Sequence, residues 1–234
     1  MLGPFDYAIW ILSFILEVGV VLCSLYGRDF LRYISLNLYM LGAVAVQCAS
    51  YVAFSRYGVT SRQYHFVYYY TNSLLAILMF FVIIQLYQQV FAQMKASSYI
   101  RRTATALLVG TSLFSYLVVH QHRANLTDQF VVALGQNLYF VGVVLTYLLW
   151  AAIFKLGETR TRLVHFVLAL GIYFSGTAGA YALRNLFPSL QPLVLHWIPP
   201  IVGTWLPLAW AYTLIRVPED ARFMTASLAA KTSQ

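Results

Sequence analysis

Glu17 is the only acidic residue that lies well inside one of the chain's long apolar runs. A charged side chain at the centre of a bilayer costs about 2.5–3.5 kcal/mol on insertion scales, so an acid there is a candidate functional group. Three readings stay open. Glu17 clamps two helices through a hydrogen bond to Gln47, a tyrosine hydroxyl or water. Alternatively it exchanges a proton or touches a ligand, or it reaches from the inner leaflet towards water. A carboxyl turned to hydrocarbon without a partner is too costly, so it should face the bundle in neutral form and donate a hydrogen bond.

A second set lies further along. His65, Tyr68, Tyr69 and Asn72 follow the i, i+3, i+4, i+7 spacing of one helix face. Lipid offers such a polar stripe no partner, so it belongs against the bundle or a water-filled cavity. We expect His65, Tyr69 and Asn72 to approach a pocket shared with Tyr173 or Tyr181. The competing reading is an aromatic belt at headgroup level. Gln136, Asn137 and His196 complete the candidate ligand-binding residues. Gln85, Gln88 and Gln89 form a lower polar stripe that could cap the other end of the same helix.

Catalytic patterns are missing from the chain. It has no HExxH or GxSxG motif and no paired acids within an apolar run, so no catalytic residue is assigned and an enzyme is not expected. His65, His120, His122 and His196 fall near one surface. Imidazoles at one depth can bind a metal or haem. His120 and His122 point apart in a helix, however, and interfacial histidines are the preferred reading. Neither metal nor haem is expected.

The elements that carry these residues follow from composition. The chain is 61% hydrophobic and 9% charged, with a mean hydropathy of +0.71. A soluble domain carries about 25% charged residues. A spanning helix needs ~20 mostly apolar residues. Seven such runs are present: Pro4–Tyr26, Tyr33–Phe54, Tyr64–Phe91, Thr103–His120, Gln129–Phe154, Leu163–Leu183 and Leu193–Ile215. The expected fold is therefore all-α, a seven-helix transmembrane bundle over residues 1–216 with a short cytoplasmic tail over 217–234. The segment ahead of the first run has no Lys or Arg, unlike a signal peptide, so that run is expected to stay in the mature protein.

Basic residues sort by side. Arg28, Arg32, Lys95, Arg101, Arg102, Lys155, Arg160, Arg162, Arg216, Arg222 and Lys231 fall on one side, and Arg56, Arg62, Arg123 and Arg184 on the other. The positive-inside rule then puts the amino terminus outside and the carboxyl terminus in the cytoplasm. The net charge of +8 follows from this bias and points to membrane lipids as partners, not to nucleic acid. Cys23 and Cys48 lie at different depths, so a disulfide is not expected.

Three further patterns concern helix shape. Pro199, Pro200 and Pro207 sit in the seventh run, whose helix is expected to start at Pro199 or Pro200 and to kink or break at Pro207. Gly171, Ser175 and Gly179 in the sixth run, and Gly42, Ala45, Ala49 and Ala53 in the second, are small-residue stripes that let helices approach within the bundle or in a homo-oligomer. Asn37-Leu38-Tyr39 with Gly42 and Val44 recurs as Asn137-Leu138-Tyr139 with Gly142 and Val144. Such an echo would suit an inverted repeat, although the flanking runs do not match.

The seven-span outline is similar to that of microbial rhodopsins. Retinal needs a Schiff-base lysine in the seventh run, and the only lysines are Lys95, Lys155 and Lys231, so a retinal cofactor is not expected. With segments such as Gln136–Gly142 and Gly157–Arg162, the chain resembles an uncharacterised bacterial family of seven-span integral membrane proteins. That resemblance implies a multi-pass protein of the bacterial cytoplasmic membrane and imports no activity. The leading expectation is a sensory or small-ligand-binding protein with a polar outer pocket, acting through a signalling partner. The alternative is a small-solute or proton-coupled transporter that uses Glu17 and a broken seventh helix.

Overall fold

The computed structural model describes residues 4–27, 29–58, 61–91, 126–156, 160–187, 191–218 and 221, with 102, 106, 109–111, 113 and 116 between them. The described chain is almost wholly helical. Its long helices are α1 (Pro4–Tyr26), α2 (Ile34–Tyr57), α3 (Arg62–Val90), α4 (Leu126–Leu156), α5 (Thr161–Leu186) and α6 (Gln191–Arg216). All six are long and apolar enough to cross a membrane, so the chain is a multi-pass membrane protein by length and composition. Inside lipid only a helix or a closed barrel pairs every backbone group, which is why long apolar runs become long helices. The six correspond to the first, second, third, fifth, sixth and seventh expected runs. The fourth, Thr103–His120, lies mostly outside the described residues, although positions 106, 109–111, 113 and 116 within it are helical.

Local signals set several ends. Gly58 closes α2 with φ 77, in the left-handed region that favours glycine, and its N–H bonds Phe54 O at 3.0 Å. The Ser61 hydroxyl then accepts from the Tyr64 N–H at 3.1 Å and opens α3. At the last helix the structure corrects the sequence reading. α6 begins at Gln191 and runs unbroken through Pro199, Pro200 and Pro207. Neighbouring helices and hydroxyls can serve the carbonyls that a proline frees in a spanning helix. Against α1, the Thr204 hydroxyl pairs with Ser13 at 2.7 Å, and within α6 it donates to Pro200 O at 2.8 Å.

The six helices pack in a closed ring, each against its chain neighbour and α6 against α1. Direction follows from the contacts. Glu17 meets Gln47 and Ser24 meets Asn37, so α1 and α2 are antiparallel. Gly42 packs against Leu78 while Ser35 meets Gln85, so α2 and α3 are antiparallel as well. Gly135 packs against Ser73 and Leu145 meets Tyr87, which makes α3 and α4 parallel. Antiparallel pairs resume at α4–α5 and α5–α6, where Arg162 reaches Leu214 and Gly176 faces Val202.

Aromatic side chains fill the ring's centre. Trp210 and Phe166 are fully buried with their rings edge to face, 6.3 Å between centroids, and Tyr39 abuts Trp210 at 6.1 Å. The outer faces carry Ile11, Leu12, Ile15, Leu22, Leu148 and Leu208, an apolar surface suited to lipid. The small-residue stripes divide between core and surface. Gly171 packs on Thr146 and Ser175 lies 3.5 Å from the Tyr147 hydroxyl, both towards α4, whereas Gly179 has no neighbour among the described residues at the place a Cβ would take. On α2, Gly42 packs on α3 and Ala53 is buried, but Ala45 and Ala49 face outwards. Cys23 and Cys48 are free thiols.

The sequence echo does not extend to the packing. Tyr39 and Tyr139 both point inwards, yet Leu38 is 52% exposed where Leu138 is 2% exposed. Met40 is buried where Phe140 is exposed, so the two helices are turned differently about their axes.

Candidate functional site

Polar groups gather in two places. The first begins at Glu17 on the inward face of α1, 8% exposed. Gln47 of α2 donates from Nε2 to Glu17 Oε1 at 2.8 Å. Gln47 thus fills one of the partner roles open to Glu17 in sequence. Glu17 Oε2 and Gln47 Oε1 are buried, with no hydrogen-bond partner among the described residues. A neutral carboxyl has one O–H to donate. A single proton on Oε2 would give Glu17 a donor to set against these leftover acceptors.

Two turns from Gln47 on the same face of α2 stands Tyr39. It is buried, and its phenol lies near that of Tyr173 of α5. Tyr173 in turn lies 3.5 Å from the Tyr139 hydroxyl of α4. Tyr139 stacks on Tyr181 at 5.8 Å, and the Arg184 guanidinium sits 5.7 Å from the centre of the Tyr181 ring. Three helices thus contribute phenols to one connected cluster that runs from the Glu17 level towards the end of α5. Glycines permit the approach. A Cβ on Gly142 would run into the Phe174 ring, and one on Gly176 would lie 2.6 Å from Val202.

Of the candidates read from sequence, Tyr173 and Tyr181 are in this cluster. Tyr69 lies at its edge, 37% exposed, and its ring meets Tyr68 at 5.5 Å. Asn72 donates to Tyr68 O at 2.8 Å within its own helix. Gln136 and Asn137 are half-buried on α4, in the turn before Tyr139. The side chains of His65 and His196 lie outside the described residues, as do His120 and His122. Among the described residues, no three His, Cys, Asp or Glu side chains come together as a metal site. Sequence reading named Tyr39 and Tyr139 only as parts of an echo. Their shared position in the two copies was the available signal.

The second polar centre closes the opposite end. Arg162 of α5 donates from Nη1 to Asp29 Oδ2 at 2.6 Å, with side chains 8% and 20% exposed. Its Nε donates to Val217 O at 3.0 Å and its Nη2 to Leu214 O at 3.3 Å. The Thr161 N–H bonds Ala221 O at 3.1 Å, so the first residues beyond α6 are held against the bundle. Arg160 donates to Gln89 O at 2.7 Å, and Gln85 and Gln89 both donate to Arg32 O. The lower glutamine stripe of α3 therefore ties α3 to the α1–α2 turn. Asn37, fully buried, donates from Nδ2 towards Ser24, Phe30 O and Tyr33 O at 2.8–3.1 Å.

The chain matches no protein family, no curated protein and no solved structure with which it was compared.

Proposed function

We propose that this is a seven-span protein of a bacterial cytoplasmic membrane, amino terminus outside and carboxyl terminus inside, which senses or binds a small ligand at the Glu17–tyrosine cluster. Its output passes through a partner at the end latched by Arg162. The observation that carries the reading is the convergence of Tyr39, Tyr139 and Tyr173 from three helices beside the Glu17–Gln47 pair. A lipid-facing bundle can pack with apolar residues alone, and intramembrane polar groups mark functional positions by default.

Two features support seven spans and this orientation. α3 and α4 are successive described helices and run parallel, which suits one more crossing between them. Arg32, Arg160 and Arg162 gather at one end of the bundle, while Arg56 and Arg184 close helices at the other.

The test is native mass spectrometry of the full chain extracted from membranes in mild detergent. A small molecule should co-purify, and Tyr173→Leu should remove it while the variant still folds. If the wild type carries none, the sensory reading fails. A transporter is the second reading, favoured by the buried carboxyl and by Pro207 within α6. It predicts solute uptake by reconstituted vesicles that depends on a pH gradient and is lost in Glu17→Gln.

A further inference from the structure

A crease runs across the outward surface of α1, α2 and α3, at the end where α2 finishes. It comprises two adjoining grooves of about 400 and 360 Å³ that share Cys48 and Val52. The floor is made by small residues of α2, Cys48, Ala49 and Ala53. Trp10 and Tyr51 wall one side, stacked at 5.5 Å with 20° between their planes. Arg56 and Tyr57 stand at the mouth.

We propose that this crease binds an anionic glycerophospholipid. One acyl chain lies along Phe14, Cys48 and Val52, and the phosphate meets Arg56. Three observations select this occupant. The crease is shallow and lined almost wholly by apolar side chains, which suits a hydrocarbon chain lying along it. Aromatic rings flank it near the helix ends, the level at which Trp and Tyr meet the headgroup region. Its lining carries one charge, that of Arg56, and no acidic residue is among the residues that line it. Among the described residues no acidic side chain pairs with Arg56. An arginine presents a planar fork suited to phosphate oxygens. A second copy of the chain would pack on a face of small residues, whereas Trp10, Tyr51, Arg56 and Tyr57 stand among the small residues here.

The experiment uses the full chain, delipidated in mild detergent and then offered phosphatidylglycerol or phosphatidylcholine with matched acyl chains. Retained lipid is counted by native mass spectrometry. The wild type should keep phosphatidylglycerol in preference to phosphatidylcholine. Arg56→Gln should lower phosphatidylglycerol retention about fivefold, the worth of one basic side chain at an anionic surface, and leave phosphatidylcholine unchanged. Val52→Trp, which fills the crease, should lower both, with Ala49→Leu in its place if that variant does not fold. Arg216→Gln, at the far end of the bundle, should change neither. Equal retention of the two lipids by the wild type overturns the proposal, as does an Arg56→Gln protein that keeps its phosphatidylglycerol. Loss of a dimer in Val52→Trp with lipid retention intact would instead assign the crease to a second copy.

Discussion

The Arg162 centre and the Glu17 centre are both polar and both buried, but they are satisfied differently. Arg162 spends its guanidinium on one counter-charge and two backbone carbonyls, all from other parts of the chain. Its partners lie at helix ends, where carbonyls have no partner within the helix. Glu17 sits in mid-helix, where the backbone is already paired, and relies on one side chain. Two oxygens of that pair are left over. The first centre is built to stay closed. The second has capacity to spare, which is what a proton or a ligand requires.

The sharpest way to break this comparison is to remove Arg162. Arg162→Ala leaves the half-buried Asp29 without its counter-charge and strands two carbonyls. Removing one partner of a buried pair costs about 3–5 kcal/mol. A large drop in thermal unfolding temperature in detergent is expected. A variant that melts with the wild type would show that the latch contributes nothing.

The next effect is steric. Gly142→Ala places a methyl group in the Phe174 ring at the heart of the tyrosine cluster. Overpacking typically costs about 1–3 kcal/mol. The same melt should show an intermediate loss, and Phe174→Leu in the Gly142→Ala background should restore part of it. Without that rescue the contact is not the cause. Asn37→Leu should fall in a similar range, about 1–3 kcal/mol, because its amide serves Ser24 and two carbonyls. Its Oδ1 is itself unpartnered among the described residues, which places the loss below that of Arg162.

The spans were legible because length and apolarity are local properties. Pro4–Tyr26 was read to the residue, and the other five described helices differ from their expected runs by a few positions at each end. The start of α6 differs from the expected Pro199 or Pro200 because the helix runs on through its prolines from Gln191, which a local rule about proline does not foresee. The partner of Glu17 could be shortlisted in sequence, since few polar side chains lie at its depth. The tyrosine cluster could not. Tyr39, Tyr139 and Tyr173 meet through the rotation of three helices, and spacing within one helix carries no information about its neighbours. Arg162 was counted as one of many basic residues at a membrane edge, and nothing local pairs it with Asp29, far away in sequence.

The smallest effect is expected at the residue with the most to explain. A neutral Glu17 accepts from Gln47 Nε2 and has a proton on Oε2 to donate. Glu17→Gln keeps this arrangement, with an N–H in place of the O–H. Stability should then change by no more than about 0.5 kcal/mol. Glu17→Leu removes the bond and leaves the Gln47 amide buried and unpaired, at a cost of about 1–3 kcal/mol. The pair of variants separates shape from proton. If Glu17 only clamps α1 to α2, Glu17→Gln also keeps ligand binding or transport. If the proton itself is used, Glu17→Gln folds as the wild type does and loses the pH dependence of that activity. Infrared difference spectra between wild type and Glu17→Gln give the direct check. A protonated carboxyl band should vanish in the variant. A carboxylate band vanishing in its place would mean that the two leftover oxygens stand without a proton, and the neutral form of Glu17 would have to be abandoned.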